Sequence, residues 1–297
     1  MTYRHADHAG NFADVLKHVV LAQCLQHLRK KDKPCAVIDT HAGRGVYELA
    51  PAAAPPRPEW VDGVRRVLDA ERPEDVERVL AAWLDAVRAA DPDGGLAIYP
   101  GSPAIAAHLM RDTDRLHLCE TDEDAAAALD ARYAKDRRVK VETRDGFKAI
   151  AALVPPKEKR GLVLVDPGFA DPDEMAWMAE AAAAAIPKWP TGTYVFWRPL
   201  TDIWAAERFD VGLAEWLIAE QGFAPEKILR ADLWVRDLDV GDGLAGAGVV
   251  VINPPFTLEA DLLAALPWLA ETLAQGEGAG WRLDGAFTEE SLTTEEF

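Results

Sequence analysis

Short apolar runs recur along this chain, the first four ended by an acid or a glycine turn, and each is separated from the next by a stretch with helical spacing. They are Ala36 to Asp39, Arg115 to Cys119, Val139 to Glu142, Leu162 to Val165 and Thr193 to Trp197. Parallel strands need crossovers of about a dozen residues or more, and the helix-spaced segments between these runs supply them. The fold class expected is therefore α/β, a mostly parallel sheet with helices on both faces. Two further runs, near 226–236 and 247–252, are spaced as a hairpin requires, so an antiparallel pair closes the sheet. Residues 12–31 read as an opening helix, with Asn11 as its N-cap and Asp14 three residues on.

Between the first and second runs the regularity breaks. Residues 51–98 are first rich in proline and alanine, then amphipathic around Trp60 to Leu68 and Val76 to Ala89, which predicts a helical insert. The expected organisation is a main domain from 1–50 and 99–285, the insert at 51–98, and an acidic tail at 286–297. With 297 residues and 49% hydrophobic content, the chain has enough apolar surface for a large core. There is no run of about 18 apolar residues and no signal peptide, so a cytoplasmic protein without a membrane association is expected. Cys24, Cys35 and Cys119 have no CxxC spacing and read as buried thiols.

The formal net charge of −18 disfavours a nucleic-acid partner, because phosphate contacts draw on positive charge. Its distribution is uneven. Residues 1–34 carry six bases against three acids, whereas residues from 231 onward carry two bases against thirteen acids. An RNA contact is therefore expected towards the N-terminal end, although Arg29 to Lys33 equally suit a solvated helix end.

The fourth run ends in Asp166-Pro167-Gly168-Phe169. Enzymes that methylate an exocyclic nitrogen end a buried strand in an acid, asparagine or serine followed by two prolines and an aromatic. The amine of adenine is a poor nucleophile, so a carboxylate and a backbone carbonyl must accept its hydrogens as it attacks. Asp166 and the Pro167 carbonyl are candidates for those acceptors. Phe169 is a candidate to stack on an unstacked base. The alternative is a buried strand that simply ends in a Pro-Gly turn. A second loop, Asn253-Pro254-Pro255-Phe256, matches the pattern better by letter, but the strands that should precede a catalytic loop lie upstream of Asp166 only.

Open α/β sheets bind ligands beyond the carboxyl ends of their strands. Four such ends here carry suitable groups: the turn Asp39 to Gly45, Glu120, Asp145-Gly146 and Asp166. An acid after the second strand suits ribose hydroxyls, and Asp145 with the Gly146 N–H suits an adenine. Singly, each is common in doubly wound proteins. In this order they predict a class I, Rossmann-like S-adenosylmethionine site. A dinucleotide site is disfavoured, since the first turn lacks the three-glycine fingerprint. His5, Asp7 and His8 invite a metal, but no further ligand stands at useful spacing, and none is expected.

The blocks Tyr3-Arg4-His5, His8 to Asn11, Ala13 to His18, Lys31 to Pro34, Asp39 to Gly43, Tyr99 to Pro103, Asp145 to Phe147, Thr191 to Tyr194 and Val251 to Pro255 resemble the bacterial 23S ribosomal RNA adenine-N6 methyltransferases of the RlmJ family. The resemblance implies that Lys17, His18, His41, Ser102, Glu120, Asp145, Gly146 and Asp166 hold S-adenosylmethionine. It implies that Tyr3 and Arg4 meet the substrate, with Phe169, and that the 51–98 insert faces RNA. It implies further that the protein works without a metal on 23S ribosomal RNA free of protein, and a monomer is expected. It makes the Asn253 loop part of the shared framework. The departure is Gly168, where the family has a second proline. Extra freedom there costs on the order of 1 kcal/mol in ordering, or up to roughly fivefold in rate. The alternatives are a non-catalytic donor- or RNA-binding protein on the same fold, and a methyltransferase acting on DNA adenine or a protein glutamine.

Overall fold

A computed structural model describes residues 8–51, 54, 57–239 and 243–285. Tyr3, Arg4 and the acidic tail at 286–297 lie outside the described residues. Helix α1 (Phe12–Arg29) opens the chain, and Asn11 caps it by accepting from the Asp14 amide at 2.9 Å. Strand β1 (Ala36–Asp39) follows, then a short strand β2 (Val46–Glu48), helices α2 (Val64–Asp69) and α3 (Glu74–Ala90), and strand β3 (Ile98–Pro100). Regular alternation begins after that: α4 (Ser102–Leu109), β4 (Arg115–Glu120), α5 (Glu123–Tyr133), β5 (Val139–Thr143), α6 (Gly146–Leu153) and β6 (Gly161–Val165). It continues through α7 (Glu174–Ala185), β7 (Thr193–Pro199), α8 (Ile203–Ala219), β8 (Ile228–Trp234), β9 (Gly246–Ile252), α9 (Leu258–Leu273) and β10 (Gly280–Gly285).

Eight strands form one sheet in the order β10-β8-β9-β7-β6-β1-β4-β5. Strands β5, β4, β1, β6 and β7 pair in parallel, while β9 is antiparallel to both β7 and β8, and β10 is antiparallel to β8. The expected hairpin of β8 and β9 forms, but β9 slots between β7 and β8. Strand β10 and the β2–β3 pair were not foreseen. Strands β2 and β3 have three residues each, and the residues of β10 lack a sustained apolar alternation.

Side chains alternate across the sheet, so it carries two cores. Val195 and Trp197 of β7 and Val249 and Val251 of β9 face a core with α1, α3, α4 and α9. Tyr194, Phe196, Val250 and Ile252 face the other, with α6, α7 and α8. The α3 face made by Val79, Leu80, Trp83 and Val87 belongs to the first core, so the helices of the 51–98 segment pack into the main body. The segment leaves and returns on the antiparallel β2–β3 pair. Among the described residues, no helix is long and apolar enough to cross a membrane.

The chain runs from β1 outward to β4 and β5, then returns to β6 on β1's other side. That reversal opens a crevice beyond the carboxyl ends of β1 and β6, where doubly wound sheets bind ligands.

Candidate active site

Asp39 ends β1 and Asp166 follows β6, so the two acids flank the crevice. Helix α1 crosses beneath it and presents Lys17, whose ammonium lies 2.6 Å from Asp166 Oδ2 and 2.8 Å from Asp14 Oδ1. Lys17 and Asp14 are buried, and Asp166 is 9% exposed at the crevice wall. Burial alone would depress the Lys17 ammonium, but Asp14 and Asp166 outweigh it and hold its pKa well above the ordinary lysine value. Asp14 Oδ2 accepts from the Gly10 amide at 2.9 Å, which fixes the carboxylate against the turn before α1. His18 Nδ1 lies 2.8 Å from the Tyr99 hydroxyl, tying α1 to β3.

A cavity of about 410 Å³ opens above these residues, within the range of roughly 300–1,000 Å³ typical of small-molecule sites. Lys17, His18, His41, Ser102, Glu120 and Asp166 all line it. The Ser102 hydroxyl donates to Asp39 Oδ2 at 2.7 Å. Burial pushes the Asp39 carboxyl up to about 7, against the opposing hydroxyl bond from Ser102. Burial also pushes His41 down to about 4, so its imidazole is neutral. The Thr40 hydroxyl donates to the Leu164 carbonyl at 3.0 Å, so it accepts from His41 Nδ1 at 2.8 Å. This network assigns the proton to Nδ1 and leaves Nε2 as an acceptor.

Glu120 accepts from the Gly43 amide at 2.7 Å through Oε2, and from the Thr121 and Asp122 amides at 2.7 and 2.9 Å through Oε1. These bonds orient the carboxylate at the cavity wall and leave Oε2 a lone pair for a hydroxyl donor. Gly43 takes φ +59°, and a Cβ there would stand 2.1 Å from the Tyr47 hydroxyl, so the turn after β1 needs glycine.

Asp145 and Gly146 stand apart from the other expected donor residues, for they do not line the cavity. Asp145 caps α6 by accepting from the Lys148 amide at 3.2 Å and pairs with the Lys148 ammonium at 2.9 Å. Gly146 sits so close to β1's end that a Cβ would meet the Thr40 carbonyl oxygen at 1.9 Å. Their link to the cavity runs through Phe147, whose ring lies 4.6 Å from the His41 ring, edge to face.

A second cavity, of about 160 Å³, adjoins the first. The two share Lys17, Asp166 and Gly168 as walls. Phe169 and Trp197 line the second, with ring centroids 5.6 Å apart. The left-handed residue of the loop is Phe169, at φ 48°, and Gly168 is not among the positive-φ glycines. Position 168 therefore makes no use of glycine's left-handed freedom. Asp166 Oδ1 accepts no bond from a described residue, while Oδ2 is held by Lys17.

The Asn253 loop lies at the other edge of the sheet. Strand β9 is antiparallel, so its carboxyl end falls where the parallel strands begin, with Ile252 opposite Tyr194. Asn253 Nδ2 donates to the Pro190 and Gly192 carbonyls, as a framework residue does.

Sequence reading named Ser102 but not its bond to Asp39, took Asp14 only as a cap-region acid, and did not name Tyr99 or Glu174 as site residues. Glu174 lines the first cavity, and the amides of Phe169 and Ala170 face its carboxyl, which burial raises. The only sequence signal for Glu174 is an acid opening the helix after the loop.

This sheet order, with a ligand cavity at the switch point and an acid after β1, β4 and β6, defines a class I S-adenosylmethionine-dependent methyltransferase. Comparison with known proteins narrows the class. A family model described as "Ribosomal RNA large subunit methyltransferase D, RlmJ" matches residues 32–285. A relative from Escherichia coli (strain K12), "Ribosomal RNA large subunit methyltransferase J", is 35% identical over 92% of this chain and 94% of its own. A protein of the same name from Haemophilus influenzae is 35% identical, covering 96% and 98%. A crystal structure of a Legionella pneumophila protein superposes with a TM-score of 0.81 at 30% identity, covering 94% of this chain and 98% of that one. The chain belongs to the RlmJ family.

Proposed function

We propose that this enzyme transfers a methyl group from S-adenosylmethionine to the N6 of an adenine in 23S ribosomal RNA. The observation that carries the reading is the meeting of two cavities at Lys17, Asp166 and Gly168. The larger suits the donor, and the smaller, walled by Phe169 and Trp197, suits a flat base. S-adenosylmethionine supplies an electrophilic methyl group on a sulfonium.

The residues present fit that donor. Glu120 Oε2 keeps a lone pair for a ribose hydroxyl, and His41 Nε2 is a further acceptor. Lys17, His18 and Ser102 line the end nearest α1 and suit the amino-acid moiety. Asp145 and Gly146 bracket the donor's adenine beyond Phe147. On the acceptor side Phe169 stacks the base, with Tyr3 and Arg4 contributing at the entrance. Lys17 holds Asp166 by Oδ2, so Oδ1 faces the amine and accepts one of its hydrogens, while the Pro167 carbonyl accepts the other. Both acceptors strengthen their bonds as positive charge develops on N6, which is stabilisation specific to the transition state. Oδ1 then takes the proton that N6 loses. No step needs a metal. The reading takes the protein as a cytoplasmic monomer acting on RNA free of protein.

The test is transfer of labelled methyl to unmodified 23S ribosomal RNA, with nucleoside digestion and Asp166→Asn as control. N6-methyladenosine formed by the unmutated chain alone is the expected result. Transfer to DNA adenine or to protein in preference to RNA, or donor binding with no transfer, refutes the assignment.

A further inference from the structure

Positive charge is not concentrated where the chemistry takes place. The donor cavity carries Lys17 and Arg44 against Glu120, Asp122, Asp166 and Glu174 in its wall, and the whole chain has a formal charge of −18. The opposite edge of the sheet, where the parallel strands begin, has the reverse balance. The segment entering β1 brings exposed Arg29, Lys30, Lys31 and Lys33. Those entering β4 and β5 bring exposed Arg115, Arg132, Lys135 and Arg137, and the one entering β6 brings exposed Lys157 and Lys159. Asp32 and Asp112 are the exposed acids of these segments, 29–35, 110–115, 132–138 and 154–160.

The segments are fastened to one another. Arg111 donates to the Lys31 and Lys33 carbonyls, and Arg160 to the Lys33 and Leu28 carbonyls. The cations thus sit on a fixed frame, and less ordering entropy is lost on binding. The Asn253 loop reaches the same edge and leaves Phe256 83% exposed. Its ring lies 5.8 Å from the Lys30 ammonium and 5.4 Å from the His27 ring. The bonds from Asn253 to Pro190 and Gly192 stiffen its support. An exposed, rigidly mounted aromatic among cations is the arrangement that stacks bases while holding their phosphates.

We propose that this edge is a second RNA-contact surface, on which Phe256 stacks a base and the surrounding lysines and arginines hold the neighbouring phosphates. It rests on the reading that the substrate is RNA. From Lys17 to Lys30 along α1 is roughly 20 Å at 1.5 Å per residue, so a structured RNA reaches both places and a few nucleotides do not.

The experiment measures binding of an unmodified 23S ribosomal RNA transcript across a salt series, together with methyl transfer, for the wild type, Phe256→Ala and Lys31→Ala/Lys33→Ala. All three side chains are exposed, so the fold is retained. Phe256→Ala is expected to raise Kd and KM for the transcript about tenfold, with kcat and donor affinity unchanged. The double variant is expected to lower the slope of log affinity against log salt by about 1 to 2. An oligonucleotide holding only the target loop is expected to be methylated equally by all three. Wild-type affinity and salt slope in both variants overturn the proposal, as does a loss of protein binding rather than RNA binding in Phe256→Ala. If the wild type binds the transcript but never methylates it, the assigned reaction fails, while the binding arms still decide the surface.

Discussion

Replacing Lys17 by methionine removes the cation that two buried carboxylates share. Each attraction is about 6 kcal/mol before desolvation, from 332/εr at separations of 2.6 and 2.8 Å with an effective ε of about 20. Desolvation offsets most of that, and stripping one partner from a buried pair costs about 3–5 kcal/mol in practice. For a chain of this size that is a fall in Tm of roughly 6–15 °C. Since the folded Lys17 pKa is raised, its stabilisation is complete below the ordinary lysine value and is lost only as pH rises through the raised one. Wild-type Lys17 therefore stays charged across neutral pH. In Lys17→Met, Asp14 and Asp166 face each other uncompensated. Transfer should then fall, since Asp166 loses the bond to Oδ2 that orients it. Adding Asp14→Asn removes the repulsion, so the double variant should recover at least about 1–2 kcal/mol relative to the sum of the single changes. Denaturant unfolding of the four proteins and single-turnover transfer at pH 7 provide the assay. A Lys17→Met protein within about 1 kcal/mol of wild type, or strictly additive singles, refutes the shared-cation account.

Phe169→Ala should raise KM for RNA about tenfold, from the stacking lost, with donor affinity unchanged by calorimetry. Gly168→Pro, at a position without a left-handed backbone, should raise transfer up to about fivefold; a collapse in single-turnover rate at wild-type Tm would contradict that. Gly146→Ala should destabilise by about 1–3 kcal/mol and weaken the donor site, since backbone must retreat from the Thr40 carbonyl; unchanged Tm and donor Kd would refute it. The Asp39 carboxyl is raised to about 7, so its contribution to stability is complete below its ordinary value and fades as pH rises through 7. Asp39→Asn should flatten the decline in Tm between pH 5 and 8. His41, depressed to about 4, works in the opposite sense, losing stability as pH falls below its ordinary value. The difference between wild type and Asp39→Asn isolates the carboxyl.

The sheet was legible because its central strands are continuous apolar runs, as strands covered on both faces must be. The sites after β1, β4 and β6 followed, since strand ends are where side chains escape the core. Tertiary geometry hid the rest. Asp14 looks like a first-turn acid three residues before Lys17, and only the approach of α1 to β6 makes Lys17 a cation shared with Asp166. Strand direction decided between the two proline loops, and letters could not supply it: Asn253-Pro254-Pro255-Phe256 matches the pattern better and points the other way. Asp145 was legible by its position after β5, but its bonds to the Lys148 amide and ammonium, which fix its carboxylate outside the cavity wall, were not. The basic edge is dispersed over four segments that charge counting along the chain does not gather.

Helix α1 works as a ruler. Its near end fixes Lys17 in the reaction centre, and its far end carries Arg29 and joins Lys30 at the opposite edge, with its apolar length clamped between sheet and helices. A rod of this kind neither stretches nor bends appreciably, so the spacing between a modified adenine and a distant anchoring phosphate is set by the number of helical residues between them. Selection among the many adenines of a long RNA then becomes partly a question of length, met by molecules whose folded contour matches the rod.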